Sequence, residues 1–340
     1  MSAVLEALAK AMSKAVGDDF VEEKLVYLDT GFPPLNYIVS GKYDGGFPAG
    51  KIYEISGPSS SGKTAIATDM MVSAQKQGGY AIFIDWEHSF SIDLAEQFGL
   101  DVSPQRFAYH RADTWESGNS KAMELAKIIR DSGAINEDAP IVIVLDSIAA
   151  AIPQSMLYDA KGNEREIDSF TMNDTSALSR VTSTTLKVTK RLVDRHKATM
   201  FYLNQTRTKI GVVFGDPTTT PGGSAMEFYA DGRIRLGRSQ IKDKTSKEFL
   251  GQDISAKAIK SKFTAPFKSC DLRLMFSGEA AVFDKATSCI EELLKIGIFT
   301  KDGHSIVWTD GSKHTVTALA KKINDEGKYS ELVALFPTEV

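Results

Sequence analysis

The chain has 340 residues, a net charge of −4, and 42% apolar and 25% charged residues. That is an ordinary globular balance, which excludes a disordered or fibrous polymer and leaves room for one large domain with appendages or for two to three units. The longest apolar run, APIVIVLDSIAAAIP, contains Asp146, so no membrane span is expected. The start has Glu6 in its apolar part and no cleavage site, so no signal peptide is expected either. Cys270 and Cys289 are the only cysteines; they suit a reducing cytoplasm and form no metal-ligand pattern.

In chain order, the first 18 residues predict a short amphipathic helix, with Val4, Leu8 and Met12 on one face. A helix this short is marginal alone in water, so it must dock on its own body or on a neighbouring subunit. From Lys51 apolar strands alternate with helical segments. KIYEISG, YAIFID, PIVIVLD and ATMFYLN read as strands; Lys63 to Gln77, Trp115 to Asp131 and Thr175 to Arg195 read as helices. This alternation predicts an α/β fold with a mostly parallel sheet covered on both faces. After Gly223, DGRIRLGRSQI and ISAKAIKSKF flank a polar turn and predict a hairpin, and CDLRLMF predicts a further strand. From about Asp284 the chain reads as helical, which suggests a small separate C-terminal domain.

GPSSSGKT, Gly57, Pro58, Ser59, Ser60, Ser61, Gly62, Lys63 and Thr64, follows a strand and opens a helix. It fits the phosphate-binding pattern in full. The glycines let the backbone wrap phosphates, and the amides and helix N-terminus attract negative charge. ATP and Mg²⁺ are the ligands this motif implies: Lys63 for the β- and γ-phosphates, Thr64 for the metal. Asp146 ends the apolar strand IVIVLD, the placement of a carboxylate that holds the metal or its water shell. Asp85, Glu87 and His88 are expected to emerge together at the same sheet edge. Glu87 is the candidate general base for the attacking water. Gln205 closes a strand where its amide can sense a γ-phosphate or cap the loop that follows.

That loop, TRTKIGVVFGDPTTTPGG, is long for a compact domain. It offers Arg207 and Lys209, then Ile210, Gly211, Val212, Val213 and Phe214, which can wedge against bases. Its threonines, among them Thr219, can donate to phosphate oxygens, and it ends in Gly222 and Gly223. From Arg180 to Lys262 there are 17 Lys and Arg against 7 Asp and Glu, a net of +10, so the remainder carries −14. A basic face is expected. From the residues alone, the loop suits nucleic-acid contact, a subunit interface or a folded-back lid.

GPSSSGKT, FIDWEH, IVIVLDSIAA, NQTRTKIGVVFGDPTTTPGG and KSKFTAPF stand in the order and at the spacing seen in bacterial RecA recombinases. From about Leu28 to Phe276 the chain resembles that family, and its differing flanks suit a phage-encoded member. The resemblance implies a RecA-type ATPase core at residues 33–280, an N-terminal polymerisation arm at 1–32 and a small α/β C-terminal domain at 281–340. It implies an ATP-dependent recombinase that forms a head-to-tail helical filament on single-stranded DNA and exchanges strands with homologous duplex. Single-strand-binding and loader proteins are further candidate partners, and the setting is a bacterial or phage-infected cytoplasm.

In family terms Lys63, Gln205 and Glu87 are catalytic. The stretch after Gln205 is the second DNA-binding loop, and Pro153 to Met172 the first, with Met172 and Arg180 as contacts. Lys260 and Lys262 reach the ATP of the next subunit, and Phe228 matches an interface phenylalanine. Ser91 and Leu94 stand where the family usually has the Asp and Tyr that contact adenine. YDAKGNEREIDSF lengthens the first loop, and Thr218, Pro221 and Glu227 also depart from the pattern. The end, ELVALFPTEV, lacks the acidic tail of many relatives, which implies weaker autoinhibition of duplex binding. A hexameric helicase-type motor, an ATP-switched mediator and a small-molecule kinase are the competing readings.

Overall fold

The computed structural model describes residues 3–16, 25–170, 176–208, 211, 215–243, 245–277 and 280–338. Helix α1 (Ala3–Val16) leaves Val4, Leu5, Leu8 and Met12 more than half exposed. A short pair, β1 (Tyr27–Leu28) and β2 (Phe47–Pro48), brackets α2 (Pro33–Ser40), which starts on two prolines and stops at Gly41 in the left-handed region. Proline is tolerated in a first helical turn and glycine in the left-handed stop, so this sequence starts and ends its own helix.

The body is one nine-stranded sheet. In chain order come β3 (Ile52–Gly57), α3 (Lys63–Lys76), β4 (Tyr80–Asp85), α4 (Ile92–Gln97), β5 (Phe107–Arg111), α5 (Trp115–Ser132), β6 (Ile141–Asp146), α6 (Gln154–Leu157), α7 (Ala177–His196) and β7 (Ala198–Gln205). A small ladder, β8 (Arg207–Thr208) with β9 (Thr218–Thr219), and α8 (Ala225–Tyr229) lead into β10 (Gly232–Lys242), β11 (Phe249–Ser261), β12 (Ser269–Ser277) and β13 (Ala280–Phe283). The order across the sheet is β13-β12-β11-β10-β3-β7-β6-β4-β5. The strands from β10 to β5 are parallel, whereas β10 to β13 form an antiparallel meander.

Strand alternation splits the core in two. Val142, Val144, Phe201 and Leu203 face one layer with Ile66, Met70 and Met71 of α3. Ile141, Ile143, Leu145 and Tyr202 face the other with Trp115 of α5 and Leu186 and Val193 of α7. Each of these large side chains contributes about 1.5–3 kcal/mol when taken out of water. A parallel sheet needs cover on both faces, and its strands are accordingly apolar throughout. A third cluster gathers α9 (Lys285–Lys295), α10 (Val316–Asp325) and α11 (Tyr329–Val333) with a three-stranded sheet, β14 (Lys301–Asp302), β15 (Ser305–Val307) and β16 (Lys313–His314). Among the described residues no helix is long and apolar enough to cross a membrane.

The expected hairpin, strands and helices of the core are present, most with boundaries shifted by one or two residues; β11 starts five residues before the expected Ile254, because the FLGQD end of the polar stretch read as turn continues the ladder. Strand β5 was not foreseen. It lies at the sheet edge and is only partly buried, so FAYHR mixes polar with apolar residues and hides its signal.

Candidate nucleotide site and nucleic-acid interface

Parallel strands end together, and the register fixes which residues meet at the edge. Gly57 is level with Gln205, and Asp85 with Asp146. Gly57 must be glycine: a Cβ there would lie 2.5 Å from Ser61 Oγ and 2.9 Å from the Leu236 carbonyl. Gly62 turns the chain into α3 with φ +83° and caps the helix without any side-chain acceptor, so the first-turn amides remain available to an anion. Ser61 Oγ is buried and has no hydrogen-bond partner among the described residues. Lys63 Nζ donates to the Gly57 and Pro58 carbonyls at 3.3 and 2.8 Å. Burial lowers the Lys63 ammonium from its ordinary value, against the pull of Asp146 and Glu87. An unpartnered hydroxyl, open amides and an ammonium with no carboxylate bonded to it form a donor set that fits a polyphosphate.

Thr64 Oγ1 donates to Asp146 Oδ2 at 2.9 Å. Asp146 is pushed up to about 7, chiefly by burial and then by Glu87, while Thr64 and Lys63 pull the other way. A hydroxyl beside a buried carboxylate is a donor pair suited to Mg²⁺. Glu87 follows Trp86, whose buried ring stacks on Trp115 at 5.4 Å and donates Nε1–H to the Thr114 carbonyl at 2.9 Å. That anchor turns Glu87 outward, where it accepts a short hydrogen bond from the Ser147 hydroxyl and a 3.5 Å one from Gln205 Nε2. Ser147 went unnoticed in the sequence because a serine after a strand-ending aspartate reads as an ordinary turn.

One expectation at this edge changes. Asp85 does not emerge with Glu87: it is fully buried and accepts from the His88 and Phe90 amides, at 2.7 and 3.1 Å, and from the Tyr109 hydroxyl at 2.9 Å. It holds the turn that presents Glu87, because a buried carboxylate must satisfy its oxygens locally. His88 is exposed in a left-handed turn with φ +56°. Beside Thr64 a groove is lined by Thr68, Ser89, Phe90, Ser91, Leu94 and Phe98, so Ser91 and Leu94 do border the nucleotide site.

Beyond Gln205 the chain stays attached to the site, with the Thr206 amide donating to the Gly57 carbonyl at 3.2 Å. Arg207 is exposed and pairs with Thr219 in the β8–β9 ladder. Asp216 accepts from Arg235 and from the Thr218 amide at 2.9 Å, and its carboxyl is held well below the usual range, by Arg235 first. Gly211 and Gly215 adopt φ +85° and +86° with open space around them. Gly222 and Gly223 are closely packed: a Cβ would meet Ile148, just past β6, at 3.1 Å at the first, and Ser179 of α7 at 3.0 Å at the second. Arg180 stands exposed near the start of α7 and bonds to Ser176. Met172, Lys209, Ile210, Val212, Val213 and Phe214 lie outside the described residues.

Lys260 and Lys262 stand apart from the P-loop of their own chain. Lys260 pairs across Arg233 with Glu54, three residues before Gly57. That places it roughly 10 Å down the sheet and roughly 10 Å across it. Lys260 donates to the Glu227 and Phe228 carbonyls at 2.5 and 3.1 Å, and Lys262 pairs with Asp231 at 3.0 Å. Phe228 is 72% exposed.

The family model of the RecA N-terminal domain matches residues 10–280. The chain belongs to the RecA family. It is 35% identical over 318 residues to Protein RecA of Bacteroides thetaiotaomicron, covering 91% of this chain and 87% of that one. It is 31% identical to Protein RecA of Chloroherpeton thalassium, covering 98% and 87%. Protein RecA of Aquifex aeolicus is 35% identical over 260 residues, covering 76% of this chain and 68% of the relative. The RecA family consists of DNA-dependent ATPases that exchange DNA strands, and this chain is a recombinase of that kind.

Proposed function

We propose that this RecA-family chain assembles head to tail on single-stranded DNA in its ATP-bound form and that ATP hydrolysis resets the filament. The observation that carries the reading is the double tie of the Gln205 segment to the nucleotide site: its side chain to Glu87, and the next amide to Gly57. Ligand chemistry at the P-loop is thereby one peptide away from the β8–β9 loop.

The geometry supports the following residue roles. The amides after Gly57 and the Lys63 ammonium hold the β- and γ-phosphates. Thr64 and Asp146 hold Mg²⁺, which when bound supplies positive charge to the transferring phosphate. Glu87, exposed and fixed by Ser147, orients a water and takes its proton. Gln205 leaves Glu87 for the γ-phosphate and in doing so resets the loop, an order–disorder switch in kind. Arg207 and Lys209 grip the DNA backbone, and the apolar run of the loop lies against the bases.

Lys260, Lys262 and Phe228 act across the subunit junction. The distance of Lys260 from the P-loop of its own chain supports that reading, as does the exposure of Phe228, and contacts that do not close give an open helix. Electron microscopy on single-stranded DNA with a slowly hydrolysed ATP analogue, together with a strand-exchange assay, tests the proposal. Helical filaments and exchange are expected; closed rings alone, without exchange, contradict it.

A further inference from the structure

Asp231 gathers cations from two separate elements. Its side chain is 5% exposed, and its carboxylate accepts from the Ile52 amide at 3.0 Å. One oxygen pairs with Lys190 of α7, the other with Lys262 just past β11 at 3.0 Å. Ammoniums on the two oxygens of one carboxylate lie within about 7 Å of each other. Lys260 is close enough that Lys190 and Lys262 both count among the charges that lower its ammonium, after burial. Lys190 is likewise lowered, by burial first, with Lys262 and Lys51 opposing its charge.

The neighbouring arginine stands between two carboxylates and so offsets one of these charges. Arg233 pairs with the buried Glu54 at 2.5 Å and with Glu227 at 3.6 Å. Lys190 and Lys262 therefore share one carboxylate while Lys260 stands against the Glu227 and Phe228 carbonyls, and the group as a whole keeps an excess of one positive charge beside the exposed ring of Phe228. A structural ion pair needs one lysine per carboxylate. Crowded like charges are tolerated where an anion will join them. An exposed aromatic at the same spot marks a surface that a partner covers.

We propose that Lys190 is a third cation of the subunit junction: with Lys260 and Lys262 it engages the polyphosphate of the nucleotide bound at the P-loop of the neighbouring subunit. Asp231 keeps the lysines gathered until that phosphate arrives. The inference rests on the reading that Lys260 and Lys262 act across the junction. Lys190 also sits on α7, the helix that follows the first DNA-binding loop, so DNA contact and junction chemistry share one rigid element.

Full-length Lys190→Ala tests this by single-stranded-DNA-dependent ATP hydrolysis at subsaturating ATP. The rate is expected to fall about fivefold or more, through KM, with kcat within about twofold. An unchanged KM overturns the proposal. The second arm mixes Lys190→Ala with Glu87→Gln chains, since a junction joining the intact ATP site of the first to the intact lysine of the second is complete. Hydrolysis in the mixture is expected to exceed the sum of the two variants alone, toward roughly a quarter of the unmodified rate, the share of complete junctions in a one-to-one mixture. A Lys262→Ala and Glu87→Gln mixture runs in parallel. If it recovers while the Lys190 mixture does not, the Lys190 assignment fails and the junction reading stands. If neither recovers, the junction reading fails and the Lys190 assignment falls with it.

Discussion

Gln205 Nε2 donates to Glu87 Oε1 across 3.5 Å, joining the end of β7 to the residue that follows Trp86. The two carry opposite ends of the proposed cycle, DNA grip and hydrolysis. Glu87→Gln keeps the shape and removes the proton acceptor. Single-stranded-DNA-dependent hydrolysis is expected to fall by about 100-fold or more, while filaments on ATP persist. Hydrolysis within about tenfold of the unmodified rate argues against the base assignment.

Arg207 is exposed at the start of the loop, where the β8–β9 ladder pairs it with Thr219. Arg207→Ala is expected to weaken single-stranded-DNA binding and to make the slope of log affinity against log salt shallower by about 1. An unchanged slope would remove Arg207 from the phosphate contacts.

Asp146 titrates at about 7 in the folded chain, against an ordinary value of 3.8. A raised folded value favours the protonated carboxyl, so the stability it contributes is complete below about pH 4 and is lost as pH rises through about 7. Without metal and nucleotide at pH 8, Asp146→Asn is expected to be more stable than the unmodified chain by roughly 1–3 kcal/mol. The gap narrows toward pH 5, and ATPase activity is lost throughout. Urea unfolding at the two pH values checks it; a less stable variant at pH 8 contradicts the sign.

Glu54 is fully buried, accepting from Asn204 Nδ2 at 2.8 Å and from Arg233 at 2.5 Å. Glu54→Ala leaves Arg233 without its buried partner and should cost about 3–5 kcal/mol. Since Asn204 precedes Gln205, the thermal midpoint and the response to DNA are both expected to fall. An unchanged midpoint would show that water or Glu227 replaces the lost partner.

The strands of the core were legible because a doubly covered sheet demands uninterrupted apolar runs such as IVIVL. The P-loop was legible because its glycines, lysine and threonine sit at fixed spacing. Asp85 was misjudged for a physical reason: a strand-ending carboxylate can face the site or fold back on the next turn, and only the amides of His88 and Phe90 decide. Glu54, Arg233, Asp231 and Lys190 carry no local signal at all. Glu54 and Arg233 lie 179 positions apart and Lys190 and Asp231 41 apart; strand register joins the first pair, and the packing of α7 on the sheet joins the second. The apolar part of the loop, and Met172 at the end of the first DNA-binding loop, were read from sequence only.

Single-stranded-DNA affinity, measured with and without a slowly hydrolysed ATP analogue for the unmodified chain and for Gln205→Ala, goes straight to the coupling between nucleotide and grip. The analogue is expected to tighten binding by about tenfold or more in the unmodified chain and to leave Gln205→Ala unchanged. A Gln205→Ala chain that tightens as much as the unmodified one would contradict the coupling.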